Sequence, residues 1–376
     1  MNSRIYADNA ATTKIDPVAF EAMIPWLTEE YGNPSQPYSF SRSTKKALAE
    51  ARETIASCIN AEPDEIFFTS GGTESDNWAI KGAALASPNK CILTTLIEHH
   101  AILNSCNSLS KQGYRVDYVS VNDKGDVNQE DLLNKLNKTP VSIVSIMMAN
   151  NEIGTIQSFS SQTERIIHES GALFHTDAVQ AVGHIPIDVK RIGVDLLSAS
   201  SHKFNGPRGI GFLFVKKGTV ISPLLDGGSQ EKGLRAGTEN IASIVGMSVA
   251  LKNNCKSLID NTKRVDQLSD TLITLLNQSG IVFMRNGSSS ALPGLLSLSF
   301  PNSDGEAILH RLDLMGICVS TGAACDSKKT EISHVLKAIG LKNNLARGTI
   351  RISLSKNNTM NDIITIANSL IQIFKK

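Results

Sequence analysis

The run Val141-Ser142-Ile143-Val144-Ser145-Ile146-Met147-Met148-Ala149, and the shorter run Ala172-Leu173-Phe174-His175-Thr176-Asp177 that follows it, decide how this chain is read. Both are rich in apolar and β-branched residues, and residues 158–170 between them carry a helical pattern. Strand, helix and strand in that order make the unit of a parallel sheet, whose strands are nearly all apolar because helices cover both faces. The alternation continues in both directions. Residues 66–69, 91–95, 115–120, 196–199 and 209–215 predict further strands, and residues 73–85, 100–112 and 128–136 predict helices. The expected architecture is α/β, with a large domain built on a mostly parallel seven-stranded sheet.

After Gly237 the pattern changes. A helical stretch over 240–278, interrupted by polar residues near Cys255 and Lys256, leads to strands at 281–284, 295–300 and 349–354 and helices at 305–315, 332–339 and 360–374. These predict a smaller α+β C-terminal domain. The expected division is 16–255 for the large domain and 1–15 with 256–376 for the small one, joined by the long helix. The first good helix is predicted over 17–30.

The 376 residues are 41% hydrophobic and 19% charged, with a net charge of +1. That balance excludes a disordered chain and argues against direct nucleic-acid binding, which calls for a basic surface. No apolar run has the length of a membrane span, and residues 1–9 show no signal-peptide pattern, so a cytoplasmic location is expected. The six cysteines (Cys58, Cys91, Cys106, Cys255, Cys318 and Cys325) are scattered singly, a spacing that suits neither a disulfide framework nor a zinc site. No metal is expected. Cys325 stands apart from the others because it lies in Ser320-Thr321-Gly322-Ala323-Ala324-Cys325-Asp326-Ser327, a stretch of small and polar residues with the character of a mobile loop.

Three segments carry candidate chemistry. In Ser198-Ala199-Ser200-Ser201-His202-Lys203-Phe204-Asn205-Gly206-Pro207, Lys203 follows a predicted strand, where a desolvated amine can hold an aldehyde cofactor. In isolation such a lysine is usually a solvated surface residue. Asp177 ends the preceding strand, where an acid can pair with a protonated pyridine nitrogen or simply cap a helix. Thr69-Ser70-Gly71-Gly72-Thr73-Glu74-Ser75 is a glycine turn from strand to helix, and free N–H groups at such a helix start bind phosphate. It lacks the Gly-Lys-Ser/Thr ending of a P-loop.

These segments occur in a fixed order with others: Tyr6-Ala7-Asp8-Asn9-Ala10-Ala11-Thr12-Thr13, Gly32-Asn33-Pro34-Ser35, Glu98-His99-His100-Ala101, Asn150-Asn151-Glu152-Ile153-Gly154 and Arg235-Ala236-Gly237-Thr238-Glu239-Asn240. Together they resemble, over essentially the whole chain, the class V aminotransferase group of fold-type I pyridoxal-phosphate (PLP) enzymes, and within it the cysteine desulfurases of the NifS/IscS kind. The resemblance implies that the large domain binds PLP on Lys203, with His99 stacked on the ring, Asp177 on its nitrogen, and Asn151 and Gln180 on its phenolic oxygen. It places Gly72, Thr73, Ser200 and His202 around the phosphate, joined by Thr238 from the other subunit of a homodimer.

PLP alone leaves the reaction open, and the loop around Cys325 narrows it. Ser320–Ser327 fits the family's acceptor loop, Ser-x-Gly-x-Ala-Cys-x-Ser. A thiolate there, activated within the site with His99 as the candidate, would take the substrate sulfur. Arg351, on a predicted strand, matches the family's clamp for the substrate carboxylate, and Arg347 in a predicted loop is its rival. The implied reaction converts L-cysteine to L-alanine and leaves a persulfide on Cys325, destined for a sulfur-acceptor protein, either an iron–sulfur scaffold or a tRNA-thiolation enzyme. Selenocysteine lyase and aminotransferase activities on the same fold are the alternatives. The chain departs from the family pattern at Gln36-Pro37-Tyr38, where a histidine is usual, at Asp326 beside the acceptor cysteine, and in a shorter C-terminal segment, which bears on scaffold docking.

Overall fold

A computed structural model describes residues 4–159, 161–288, 290–321 and 332–375. In chain order its first half comprises β1 (Ile5–Tyr6), α1 (Pro17–Thr28), α2 (Arg42–Cys58), β2 (Ile66–Thr69), α3 (Gly72–Ala86), β3 (Cys91–Thr95), α4 (His100–Ser110), β4 (Arg115–Val119), α5 (Gln129–Leu136), β5 (Ile143–Ser145), α6 (Ser161–Glu169), β6 (Leu173–Asp177), α7 (Val189–Ile192), β7 (Leu196–Ser200) and β8 (Gly211–Val215). The remainder comprises α8 (Ile241–Lys256), α9 (Leu258–Gln278), β9 (Met284–Asn286), β10 (Leu295–Ser299), α10 (Gly305–Leu314), β11 (Ile317–Cys318), α11 (His334–Ala338), α12 (Asn343–Ala346), β12 (Thr349–Ser353) and α13 (Met360–Phe374).

The large sheet has seven strands in the order β2-β8-β7-β6-β5-β3-β4, and β8 alone runs against its neighbours. Alternation along each strand divides its side chains between two apolar layers. Phe67, Ile92, Ile143, Leu196 and Leu213 pack with Trp78 and Ile80 of α3 and Ile102 of α4. Their neighbours Phe68, Leu93, Val144, Leu197 and Phe212 pack with Ile55 of α2 and Ile244, Met247 and Leu251 of α8. Helices on both faces explain why these strands carry almost no exposed polar positions.

A second core lies beyond α8. Strands β12, β10 and β9 form an antiparallel sheet whose Leu296, Leu298, Ile350 and Ile352 pack with Leu268 and Leu272 of α9, Leu312 of α10 and Ile363 and Ile366 of α13. Residues 5–16 run between the two cores. β1 pairs in parallel with β11, the Asn9 N–H reaches the Ser353 carbonyl at 3.1 Å, and the Thr13 N–H reaches the His202 carbonyl at 3.0 Å.

Sequence and structure differ in several places: the strand expected over 281–284 lies at Met284–Asn286, and the short elements β1, α7, β11 and α12 have no counterpart in the sequence pattern. The predicted strand over 141–149 is regular only at Ile143–Ser145, although Ile146 and Met148 still donate to the His175 and Asp177 carbonyls. The helix Arg42–Cys58 has no counterpart in the sequence reading; its buried face is small, made of Thr44, Ala47, Ala51, Ile55 and Ala56. The break in the long helix falls at Ser257, which ends α8 and begins α9.

Candidate active site

The carboxyl ends of the parallel strands converge, which is where open α/β sheets bind ligands. β2 passes through Gly71 into α3, β3 leads to His99 at the N-terminus of α4, β6 ends at Asp177, and β7 ends at Ser200, just before Lys203. Together with Ala10, Ala11 and Arg351 they enclose a cavity of about 310 Å³. Every site residue expected from the sequence and described in the structure lines it except Thr238: Gly72, Thr73, His99, Asn151, Asp177, Gln180, Ser200, His202, Lys203 and Arg351. Thr238 is exposed and lies outside this cavity, and Cys325 falls outside the described residues.

Lys203 Nζ donates to the carbonyls of Ala10 and Ala11 at 2.6 and 2.9 Å, so the crossing segment and the cavity floor hold each other in place. Asp177 is buried, its Oδ1 accepts the Val179 N–H at 2.9 Å, and burial raises its pKa against the lowering effect of Lys203. His99 caps α4 through Nδ1, which accepts the Ala101 N–H at 3.1 Å. Burial, with Lys203 and then His100, lowers its pKa to about 4, so near neutrality the ring is uncharged and carries its proton on Nε2. His202 is likewise lowered to about 4 by burial, Lys203 and Arg208, and its Nδ1 lies 3.1 Å from Thr12 Oγ1. Gln180 Nε2 donates to the Ala10 carbonyl at 2.9 Å.

Gly72 begins α3 against Val179 and Ser200. A Cβ there would lie 2.6 Å from Val179 Cγ2 and 3.4 Å from Ser200 Cβ, so the approach of these groups to the helix start requires glycine. The preceding Gly71 has φ +149°, a value disfavoured for other residues. Arg351 sits on β12 in the second core but points into this cavity. Its NH1 donates to the Asn151 carbonyl at 2.9 Å and its NH2 to Asp8 Oδ1 at 2.8 Å, while buried Nε has no protein partner. Arg347, its rival in the sequence, is exposed after α12.

This donor set fits PLP. A lysine amine faces a buried carboxylate suited to a ring nitrogen, and backbone N–H groups at the start of a fifteen-residue helix stand with Ser200 and His202 where a phosphate binds. The class-V aminotransferase family model matches residues 5–366. This chain belongs to that family. Among class-V relatives, a protein of Dictyoglomus turgidum called cysteine desulfurase IscS is 46% identical over 379 residues, covering 100% of this chain and 96% of its own length. A solved NifS-like protein superposes with a TM-score of 0.91 at 38% identity, covering 99% of each chain. The structure of SspA in complex with cysteine superposes with a TM-score of 0.82 at 32% identity, covering 94% of this chain and all of the other.

Four contributors to this class-V site had no role assigned from the sequence. The Ala10 and Ala11 carbonyls act through the backbone and leave no side-chain signal. Asp8, in the Tyr6–Thr13 motif, holds Arg351. Asp76 lines the cavity one helical turn after Gly72, an i, i+4 spacing that puts both on the buried face of α3. Among the described residues no group of three or more His, Cys, Asp or Glu could hold a metal ion, and no helix is long and apolar enough to cross a membrane.

Proposed function

We propose that this chain is a PLP-dependent cysteine desulfurase that converts L-cysteine to L-alanine and leaves the sulfur as a persulfide on Cys325. The observation that carries the reading is the meeting in one cavity of Lys203, Asp177 and Arg351, contributed by both cores, in a chain whose full-length relatives are called cysteine desulfurases. PLP supplies an electron sink for the bond-breaking at the substrate Cα. Lys203 anchors the cofactor through Nζ and then takes the Cα proton, Asp177 keeps a proton on the ring nitrogen, and neutral His99 covers the ring. Gly72, Thr73, Ser200 and His202 hold the phosphate, while Asn151 and Gln180 face the phenolic oxygen. Arg351 orients the substrate carboxylate with donors that Asp8 and Asn151 leave free. The Cys325 thiolate attacks the substrate sulfur as its bond to Cβ breaks, the bonding electrons staying with the three-carbon fragment, which takes up protons and leaves as alanine.

The functional unit in this reading is a homodimer. Val18, Phe20, Ile24, Leu27, Tyr31, Tyr38 and Phe40 are all exposed within residues 18–40, a concentration of apolar surface that a second copy would cover. Thr238 would then complete the phosphate site of the other subunit. The domain division at 16–255 against 1–15 with 256–376 is supported by the apolar core around β10, β12, α9 and α13, while Val335, Leu336 and Ile339 pack on Ile97 and Met147 across the boundary. The chain acts in the cytoplasm. The persulfide passes to an iron–sulfur scaffold or a tRNA-thiolation enzyme.

The test is to incubate purified protein with L-cysteine and measure alanine, together with labelling of the Cys325 persulfide. Alanine formation that persists at the wild-type rate in Cys325→Ala would refute the acceptor role. Sedimentation of Thr238→Ala and wild-type protein tests the dimer, since a monomeric wild type with full activity would exclude a shared site.

A further inference from the structure

Two carboxyls share the floor of the cavity. Asp177 and Asp76 both line it and both are buried. The Asp76 carboxyl meets the Ser198 hydroxyl, and Asp76 Oδ1 has no hydrogen-bond partner. Ser198 Oγ lies 3.0 Å from His175 Nε2, and His175 Nδ1 lies 2.8 Å from Ser145 Oγ. Asp76 Oδ1 itself is 3.8 Å from His175 Nε2. His175 and Asp177 stand two residues apart on β6 and so share one face of the sheet.

This row of groups can be polarised in two directions. With Asp76 ionised, Ser198 donates to it and His175 donates to Ser198 through Nε2. With Asp76 protonated, Asp76 donates to Ser198, Ser198 donates to His175 Nε2, and His175 donates to Ser145 through Nδ1. Hydrogen-bond geometry satisfies both, so charge decides.

The titratable groups around Asp76 are Asp177 and His175 on β6, Glu98 beyond β3, His99 at the start of α4, and Lys203. Glu98 is a buried carboxyl raised to about 8 by burial, and His175 is held neutral by burial, at about 3. The Lys203 ammonium acts on Asp177 and on His99. Asp76 is pushed well above the ordinary carboxylate range, first by burial and then by Asp177, against the lowering effect of its hydrogen bond with Ser198. Two adjacent anions in an apolar site cannot both persist at modest cost, so one carboxyl keeps its proton.

We propose that Asp76 is a positioning residue whose carboxyl stays protonated, donates to Ser198 and leaves Asp177 as the single anion beneath the ring. The proposal rests on Asp177 being the partner of the ring nitrogen. A neutral neighbour directs the charge of Asp177 to that nitrogen alone, and it polarises Ser198, His175 and Ser145 in one direction.

Infrared difference spectra of holoenzyme at about pH 6, above the ordinary carboxylate range, test it directly. Wild type minus Asp76→Asn should show the carbonyl stretch of an un-ionised carboxylic acid. Ser198→Ala, which removes the acceptor but keeps the acid, should shift that band. A wild-type spectrum that loses only carboxylate bands on Asp76→Asn would overturn the proposal, as would an unshifted band in Ser198→Ala if the first variant fails to fold. Thermal unfolding gives a second readout. The melting temperature of Asp76→Asn relative to wild type should rise as the pH is raised from about 4, because a carboxyl held above its unfolded-state value takes up a proton on wild-type folding there; a flat difference would also overturn it. Failure of the underlying reading would appear elsewhere, as Asp177→Asn protein with an unchanged cofactor absorption spectrum.

Discussion

Replacing Arg351 tests the link between the two cores and the chemistry. Its side chain is 5% exposed and commits NH1 to the Asn151 carbonyl and NH2 to Asp8, leaving Nε and the remaining N–H bonds for a substrate carboxylate. A hydrogen bond to a charged group contributes about 1.5–3 kcal/mol, so a bidentate contact is worth roughly 3–6 kcal/mol. Each 1.4 kcal/mol is about a factor of ten. Arg351→Ala should therefore lower kcat/KM for L-cysteine by roughly 10²- to 10⁴-fold. Arg351→Lys keeps the charge but cannot hold Asp8, Asn151 and a carboxylate in one plane, so it should lose roughly 10- to 100-fold. Much of either loss should appear as a higher KM. The assay is alanine formation over a range of cysteine concentrations, with cofactor absorbance confirming equal loading. Asp8→Asn is the control for the loss of the ion pair. If Arg351→Ala retains the wild-type KM with cofactor bound, Arg351 does not hold the substrate carboxylate.

Other outcomes follow from the same geometry. Lys203→Ala should abolish alanine formation, and borohydride reduction should fix cofactor mass to wild-type protein but not to the variant. Gly72→Ala places a methyl group 2.6 Å from Val179 Cγ2, so cofactor affinity should fall about tenfold or more, and adding Val179→Ala should recover part of it; no recovery would point away from this crowding. The folded-state pKa values of His99, His175 and His202 lie near 4, 3 and 4, below the ordinary value near 6.5. The stability they contribute is therefore full above about pH 6.5 and is lost as pH falls toward about 4. His175→Gln should flatten that acid limb of a melting-temperature profile. Glu98 acts with the opposite sign: burial raises it to about 8, so stability falls as pH rises from about 4.5 toward about 8, and Glu98→Gln should remove that alkaline slope.

The alternation of strands and helices is legible in the chain alone, because two-sided burial leaves an apolar signature that needs no tertiary information. Strands Ile66–Thr69 and Cys91–Thr95 and the helix Met360–Phe374 lie where local pattern places them. The motifs also named four side chains that meet in the cavity, Lys203, Asp177, His99 and Arg351. The contacts between distant segments emerge only when the chain is folded. The carbonyls of Ala10 and Ala11 hold Lys203, Asp8 holds Arg351 across the two cores, and Asp76 stands beside Asp177. None of these contacts can be read locally, because a backbone carbonyl looks alike at every position, a motif does not say what Asp8 touches, and an aspartate on a helix is ordinarily a solvated one. Their roles arise from the packing that excludes water around them, which sets how strongly each charge is felt.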